Sequence, residues 1–429
     1  MFYKSYFTVL SFFSLILILP IIGILLKVEF DFSYFFDFIN SKYNIKIIYI
    51  TFIQAFFSAF FSCLLAIPFS LCLYRNKNLL IVKIIISLCG FSFVMPSILI
   101  IHSVIGIYGI NGILNNLINF YDFFNLKSLF GLKGILIAHI LLNAPFATRL
   151  FFQNLNNIPL KYYEISKSIS LSYLGNIIKL EMPFIKQSFF TVFSIIFALC
   201  FLSFAIVMAL GRGPLYSTIE VAIYQYALFD LNFNKAILLS FIQIIICLFF
   251  VFIGFYKLKG SNFFEVDVKA FLHPHKEFKF VIISDLILIL VFSLFLFSPI
   301  ILIFSNFLGS NAYNIFSDIN FIKALFNSFI ISIITGFFVS IFGFIISSLL
   351  VLNHKNIFFQ QTLFLFSSVI VIISPIIFSL GYFIILQELR YIIFFKFFIV
   401  ILINCIFLIP FSLLILFNNL KNIYLNYLD

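Results

Sequence analysis

Long charge-free stretches, rather than strict alternation, organise this sequence. A helix needs about 20 apolar residues to cross the roughly 30 Å hydrocarbon layer of a bilayer. Ten stretches of that kind lie at about 6–26, 47–74, 84–108, 134–155, 187–210, 236–256, 286–307, 324–352, 361–386 and 397–417. The apolar-out, polar-in pattern of barrel strands is absent. Backbone groups in hydrocarbon must be satisfied within their own segment, so each stretch predicts a membrane helix. The fourth is the weakest, because Arg149 interrupts it after Lys133; a long Arg stem near a helix end can carry its charge to the interface. The first stretch is too long for a signal peptide and no small-residue cleavage site follows it, so it reads as a retained helix. The expected fold class is all-α: a polytopic helical membrane protein with about ten transmembrane helices.

Composition narrows the classes. The 429 residues are 64% hydrophobic and 10% charged, with a mean hydropathy of +1.21. A soluble domain is roughly 45–50% apolar and about a quarter charged. A soluble globular protein, a disordered chain and a nucleic-acid-binding domain are excluded. The net charge of +11 then needs a membrane explanation. With a cytoplasmic N-terminus, most of the 26 Lys and Arg, from Lys4 and Arg75 to Lys355 and Lys421, fall on one side of the membrane. That excess is the positive-inside pattern and sets the orientation. All six Cys lie inside apolar stretches without metal-type spacing and read as small buried hydrophobes.

The chain also repeats itself. Residues 143–164 and 408–429 match at nine of 22 positions without a gap, including Pro145/Pro410, Phe146/Phe411, Asn154/Asn419 and Ile158/Ile423. Chance would give roughly two. The expected organisation is a first half over 1–256 with six helices, a cytoplasmic linker over 257–279, and a second half over 280–429 with four. The second half stops where the first half's loop begins, so the repeat implies a twelve-helix parent and a second half that is short.

That loop, within 157–187, carries the most informative residues. Tyr162, Ile165 and Ile169 fall on one helical face, with Glu164, Lys167 and Ser168 on the other. A second short turn gathers Leu174, Ile177 and Ile178. Two short amphipathic helices along the inner membrane face are expected, with Pro183 in the first turn of the next span.

Glu164 to Pro183 resembles the cytoplasmic "EAA" loop of the membrane subunits of bacterial ABC importers: Glu-Ala-Ala, then Gly, then Ile-x-Leu-Pro. The separation of nineteen (183 − 164) is kept. Ile165 and Ser166 replace the two Ala, Ser170 the Gly, and Leu180 and Met182 the Ile and Leu. The stretch 203–228, F-V-M-P at 93–96, I-Y-G at 107–109 and A-H-I-L-L-N-A-P-F at 138–146 are similar to the thiamine and thiamine pyrophosphate importer permeases. Ferric-iron importer permeases share the duplicated architecture. The resemblance implies a type I ABC importer permease fold of two repeats in the bacterial inner membrane. It implies two partners: a separate ABC ATP-binding subunit, working as a dimer, and a periplasmic substrate-binding protein. Glu164, Ser166, Ser170, Gly175 and Pro183 take the ATPase-coupling role. No cofactor belongs to this chain; ATP is used by the partner subunit, and no G-x-x-x-x-G-K-[ST] loop occurs here.

Other residues are weaker candidates. Glu220, with Tyr224 and Arg212 near the turn Gly211–Gly213–Pro214, suits a cationic substrate at the mouth of a pathway, against the alternative of charges at an interface. His139 and His102 read first as satisfied membrane histidines, with His139 kept as a pathway candidate. His273 and His275 form H-x-H with no third ligand nearby, so no metal site is expected. Asp285 reads as a solvated helix start. No catalytic constellation is present. An ion-coupled secondary transporter would need paired carboxylates at the midplane, which these stretches lack. An inactive remnant or a split gene are the other readings.

Overall fold

The computed structural model describes residues 18–23, 25, 38, 40–92, 95–119, 128–256, 279–309, 316–352, 373–385 and 393–427. The described chain is helical, with no strand among the described residues. Its main helices are α1 (Lys42–Arg75), α2 (Leu80–Ser92), α3 (Ser97–Tyr108), α4 (Leu132–Asn156), α5 (Leu160–Ser168) and α6 (Met182–Phe201). There follow α7 (Ala205–Leu210), α8 (Ile219–Tyr224), α9 (Phe233–Tyr256), α10 (Lys279–Gly309), α11 (Ile319–Leu352), α12 (Pro375–Ile385) and α13 (Ile393–Tyr427).

Among the described residues, seven helical stretches are long and apolar enough to cross a bilayer, matching the second to eighth expected spans. The tenth corresponds to α13. The first falls largely outside the described residues, as do His273, His275 and nearly all of the linker; of the ninth, 373–385 is described and contains α12.

Two spans depart from the sequence reading. The stretch 84–108 is not one helix: α2 ends at Ser92 and α3 begins after Pro96, whose missing N–H and fixed φ of −57° suit a helix entrance and not an interior. The stretch 187–210 is also divided. α6 stops at Phe201 and α7 starts at Ala205, while the rod leading into α6 begins as early as Tyr173.

Contacts group the described helices into two units, neither of which follows the linear halves. In the larger, residues 42–221 and 249–310, α1 is the central post. Its most extensive neighbour is α4, with α6 and α10 beside it. Ala55, Ser58, Ala59, Ser62, Cys63 and Ala66 of α1 are all fully buried. Small residues at helical spacing let two backbones approach closely where lipid supplies no hydrophobic drive. Around that seam, Phe52, Phe56, Phe193, Phe197 and Phe250 pack edge-to-face and offset, the arrangement ring quadrupoles favour. At the other end of the unit, Ile100, Val104, Ile135, Leu141, Ile206, Val207 and Leu210 knit α3, α4 and α7 together.

In the smaller unit α11 packs along α13 through Ile346, Leu350, Ile409 and Leu413. Gly343 makes the close approach possible, since a Cβ there would collide with Ser412. A second cluster, Ile373, Phe378, Tyr382 and Ile406, joins α12 to α13.

Arg149 is half-buried in α4, its guanidinium lying where a Cβ on Gly90 of α2 would stand. The charge is thus accommodated by the absence of a side chain on the neighbouring helix. All six cysteines are buried free thiols.

Candidate functional site

The loop predicted after α4 is present and has a definite construction. α4 ends at Asn156, and Pro159 blocks its continuation: a proline ring there disfavours helical backbone at Ile158 and removes a donor. Pro159 then opens α5, with the Tyr162 N–H bonding its carbonyl at 3.0 Å. α5 closes in a two-bond Schellman turn: Leu171 N–H to Ser166 O at 3.0 Å and Ser170 N–H to Lys167 O at 3.1 Å. The turn needs a left-handed residue, and Ser170 supplies it with φ +49°. This is the position where the resembling motif has Gly, and the backbone shows why.

Ser172 then caps the one-turn helix Tyr173–Asn176, its Oγ accepting from Gly175 N–H at 3.2 Å. Gly175 sits tightly: a Cβ would come within 3.0 Å of the Leu171 side chain. The turn does not end there. It passes through a π-turn, Ile177–Glu181, into α6 without a break. The cause is local: Pro183 has no N–H to give to the i−4 carbonyl, and Met182 N–H bonds Ile177 O across five residues instead. The expected second surface helix is therefore the first part of a span.

The stripe of apolar residues on the loop faces away from the rest of the protein. Tyr162, Ile165 and Ile169 are exposed, as are Leu174 and Ile178, whereas Tyr163 and Ser166 are buried. Tyr163 is the anchor. Its hydroxyl donates to Glu181 Oε1 at 3.2 Å, with both residues almost wholly buried. Burial, and then the adjacent Glu181 carboxylate, push the Tyr163 phenol far above its ordinary value, so it stays a donor. Asn154 at the end of α4 donates through Nδ2 to Phe184 O at the start of α6, closing the loop's base.

Beside the anchor lies an ion pair. Asp285 is not solvated: it is 4% exposed, one and a half turns inside α10, and it accepts from Arg75 at the end of α1. Nε to Oδ2 is 3.0 Å, and Nη2 to Oδ1 completes a two-pronged pair. Asn76 Nδ2 adds a 2.7 Å bond to Oδ2 and a 3.0 Å bond to Cys72 O. The Arg75 guanidinium stands 5.5 Å from the Tyr173 ring centre. Lys77 Nζ is 4.8 Å from the Tyr74 ring and donates to Asn156 Oδ1 at 3.2 Å; burial lowers its amine pKa.

Of the loop candidates, Glu164, Ser170 and Pro183 are exposed, Gly175 is half-buried, and Ser166 is buried with its Oγ donating to Tyr163 O at 2.9 Å. The pathway candidates occupy different settings. His139 is buried in the α1–α4 seam with Nδ1 3.0 Å from Ser58 Oγ. Arg212 is an exposed left-handed residue, φ +61°, before the 3-10 turn Gly213–Tyr216. Glu220 is buried in the first turn of α8, and Tyr224 ends that helix half-buried. His102 bonds Asn306 of α10 at 3.0 Å. Sequence reasoning missed Arg75, Tyr163, Tyr173 and Glu181. A signal existed for Asp285: a lone carboxylate inside an otherwise apolar helix needs a partner.

No family model matches the chain. Individual relatives do. It is 34% identical over 251 residues to the thiamine transport system permease protein ThiP of Haemophilus influenzae, 58% of this chain and 46% of that one. It is 31% identical over 212 residues to ThiP of Escherichia coli, 49% of this chain and 39% of the relative. ThiP of Salmonella typhimurium aligns over 393 residues at 26% identity, 90% of this chain and 72% of the relative. The match thus spans less than half the length of the first two relatives. One chain of a solved bacterial alginate ABC transporter, in complex with a pentasaccharide-bound periplasmic protein, aligns at a TM-score of 0.49 and 16% identity, covering 59% of this chain and 92% of that one.

Proposed function

We infer that this chain, a relative of the thiamine transport system permease proteins, forms the membrane pathway of an ATP-driven importer of thiamine or thiamine pyrophosphate. It is a multi-pass membrane protein, placed by this reading in a bacterial inner membrane with its N-terminus and the α4–α6 loop on the cytoplasmic side. ATP is hydrolysed on a separate subunit, working as a dimer, and a periplasmic binding protein delivers the substrate.

The observation that carries this reading is the loop's outward apolar patch. α5 turns Tyr163 inward and leaves Ile165, Ile169, Leu174 and Ile178 facing out beside Glu164. An apolar patch held rigidly between two spans is what an ATPase cleft can grip. In this arrangement Glu164 and Pro183 are contact residues, while Ser166, Ser170 and Gly175 shape the loop that presents them. For a cationic substrate, the Glu220 carboxylate with Tyr224 is the chemically suited pair. The chain's own role is mechanical: it binds, orients and moves, and no bond is made or broken on it.

The test is accumulation of radiolabelled thiamine by cells carrying the full chain with the ATP-binding and binding-protein subunits of the same organism. Accumulation that needs ATP and is competed by unlabelled thiamine, but not by ferric iron, is expected. Ile165→Asp, which places a charge in the exposed patch, should abolish it. Uptake of iron instead, or thiamine uptake indifferent to Ile165→Asp, would overturn the assignment.

A further inference from the structure

We propose that Arg75, gripped by Asp285, is a positioning residue that ties the loop to α10, so that movement of the loop is handed to a helix 210 positions away in sequence. This rests on the transport reading of the loop. The geometry is a three-way junction. On one side Arg75 makes its two-pronged pair with Asp285, braced by Asn76. On the other its guanidinium packs on Tyr173, the first residue of the rod Tyr173–Phe201 that leads from the loop into the membrane. A push on the loop therefore reaches Tyr173, and Tyr173 rests on the group that holds α10.

Stability alone does not account for these charges. A buried ion pair is often replaceable by apolar side chains without loss, because its attraction barely offsets the desolvation of two ions. Its distinguishing property is register: a planar fork against a carboxylate fits one way and resists slipping. The pair joins the end of α1 to α10, which the repeat assigns to the second half of the sequence. The junction thus links the described loop to α10 within the larger unit.

Three variants of the full chain separate positioning from mere folding. Tryptic cleavage at Lys161 and Lys167 in membrane vesicles reads the loop, membrane abundance reads the fold, and labelled thiamine uptake by cells with the partner subunits reads transport. Tyr173→Leu keeps the ion pair; abundance should hold, loop cleavage should rise about tenfold, and Vmax should fall about as much with KM unchanged. Asp285→Asn should lower abundance as well. The exchange Arg75→Asp with Asp285→Arg restores a pair but moves the guanidinium off Tyr173; abundance should recover while the loop stays open. Wild-type cleavage and Vmax in Tyr173→Leu, or recovery of both in the exchange, would overturn the proposal. Wild-type cells that take up no thiamine would sink the transport reading, with the cleavage measurements still deciding the junction.

Discussion

Residues 143–164 and 408–429 share one sequence pattern, yet 143–164 and the described 408–427 form two structures. Both run through a helix with a proline at the same register, Pro145 in α4 and Pro410 in α13. Both then carry Phe, Asn, Leu, Asn and Ile at matching positions. At the next position the first has Pro159 and the second Tyr424. α4 stops and the chain turns into α5; α13 continues to Tyr427. One imino acid, worth about 3 kcal/mol inside a helix, separates a loop from a rod. The first copy also has Tyr163 to reach down to Glu181, which holds the turn once Pro159 has made it.

The comparison breaks hardest at its pivot. Pro159→Ala removes the block, and the α4 helix is expected to run on through the loop. Tyr163 should then leave Glu181, read as faster tryptic cleavage at Lys167, and, on the proposed function, thiamine uptake should fall by more than about tenfold. The reciprocal change, Tyr424→Pro, should interrupt α13 at a cost of about 3 kcal/mol, read as a lower aggregation temperature in detergent; an unchanged midpoint would mean that the last turn contributes nothing.

A smaller effect asks whether Pro159 suffices. Glu181→Leu leaves the Tyr163 hydroxyl buried without that acceptor, a loss of about 1–3 kcal/mol, which should appear as faster tryptic cleavage at Lys167. Equal cleavage would show that the proline alone sets the loop. The smallest change sharpens the turn itself. Ser170→Gly relieves the left-handed backbone and should raise the melting midpoint, by about 0.5–1 kcal/mol of added stability.

Much of this was visible in the sequence. Charge-free length located α1, α4, α9 and α11 to within five residues and α10 to within seven, because hydrocarbon thickness imposes length directly. The nineteen-residue Glu164–Pro183 spacing located the loop. The divided spans were less legible. Pro96 lies in F-V-M-P, apolar throughout, so hydropathy ran across a break that the proline's missing donor imposes. The step at Leu202–Phe204 has no such marker. What the loop's apolar stripe faces was not legible for a related reason. Near a membrane an outward side chain can be as apolar as an inward one, so the stripe Tyr162, Ile165, Ile169 does not by itself say which way it points.

What the sequence determined alone was solvent and length: helices, because backbone in lipid has no other way to satisfy its polar groups, and the approximate extent of most spans, because a bilayer has a thickness. It also determined the punctuation, since Pro159 and Pro183 act within a turn of themselves. The tertiary structure decided which charges are paired. Arg75 and Asp285 are remote in the chain, and each looked like a residue at a wet helix end. Only packing α1 against α10 brings them into a dry place where neither is tolerable without the other.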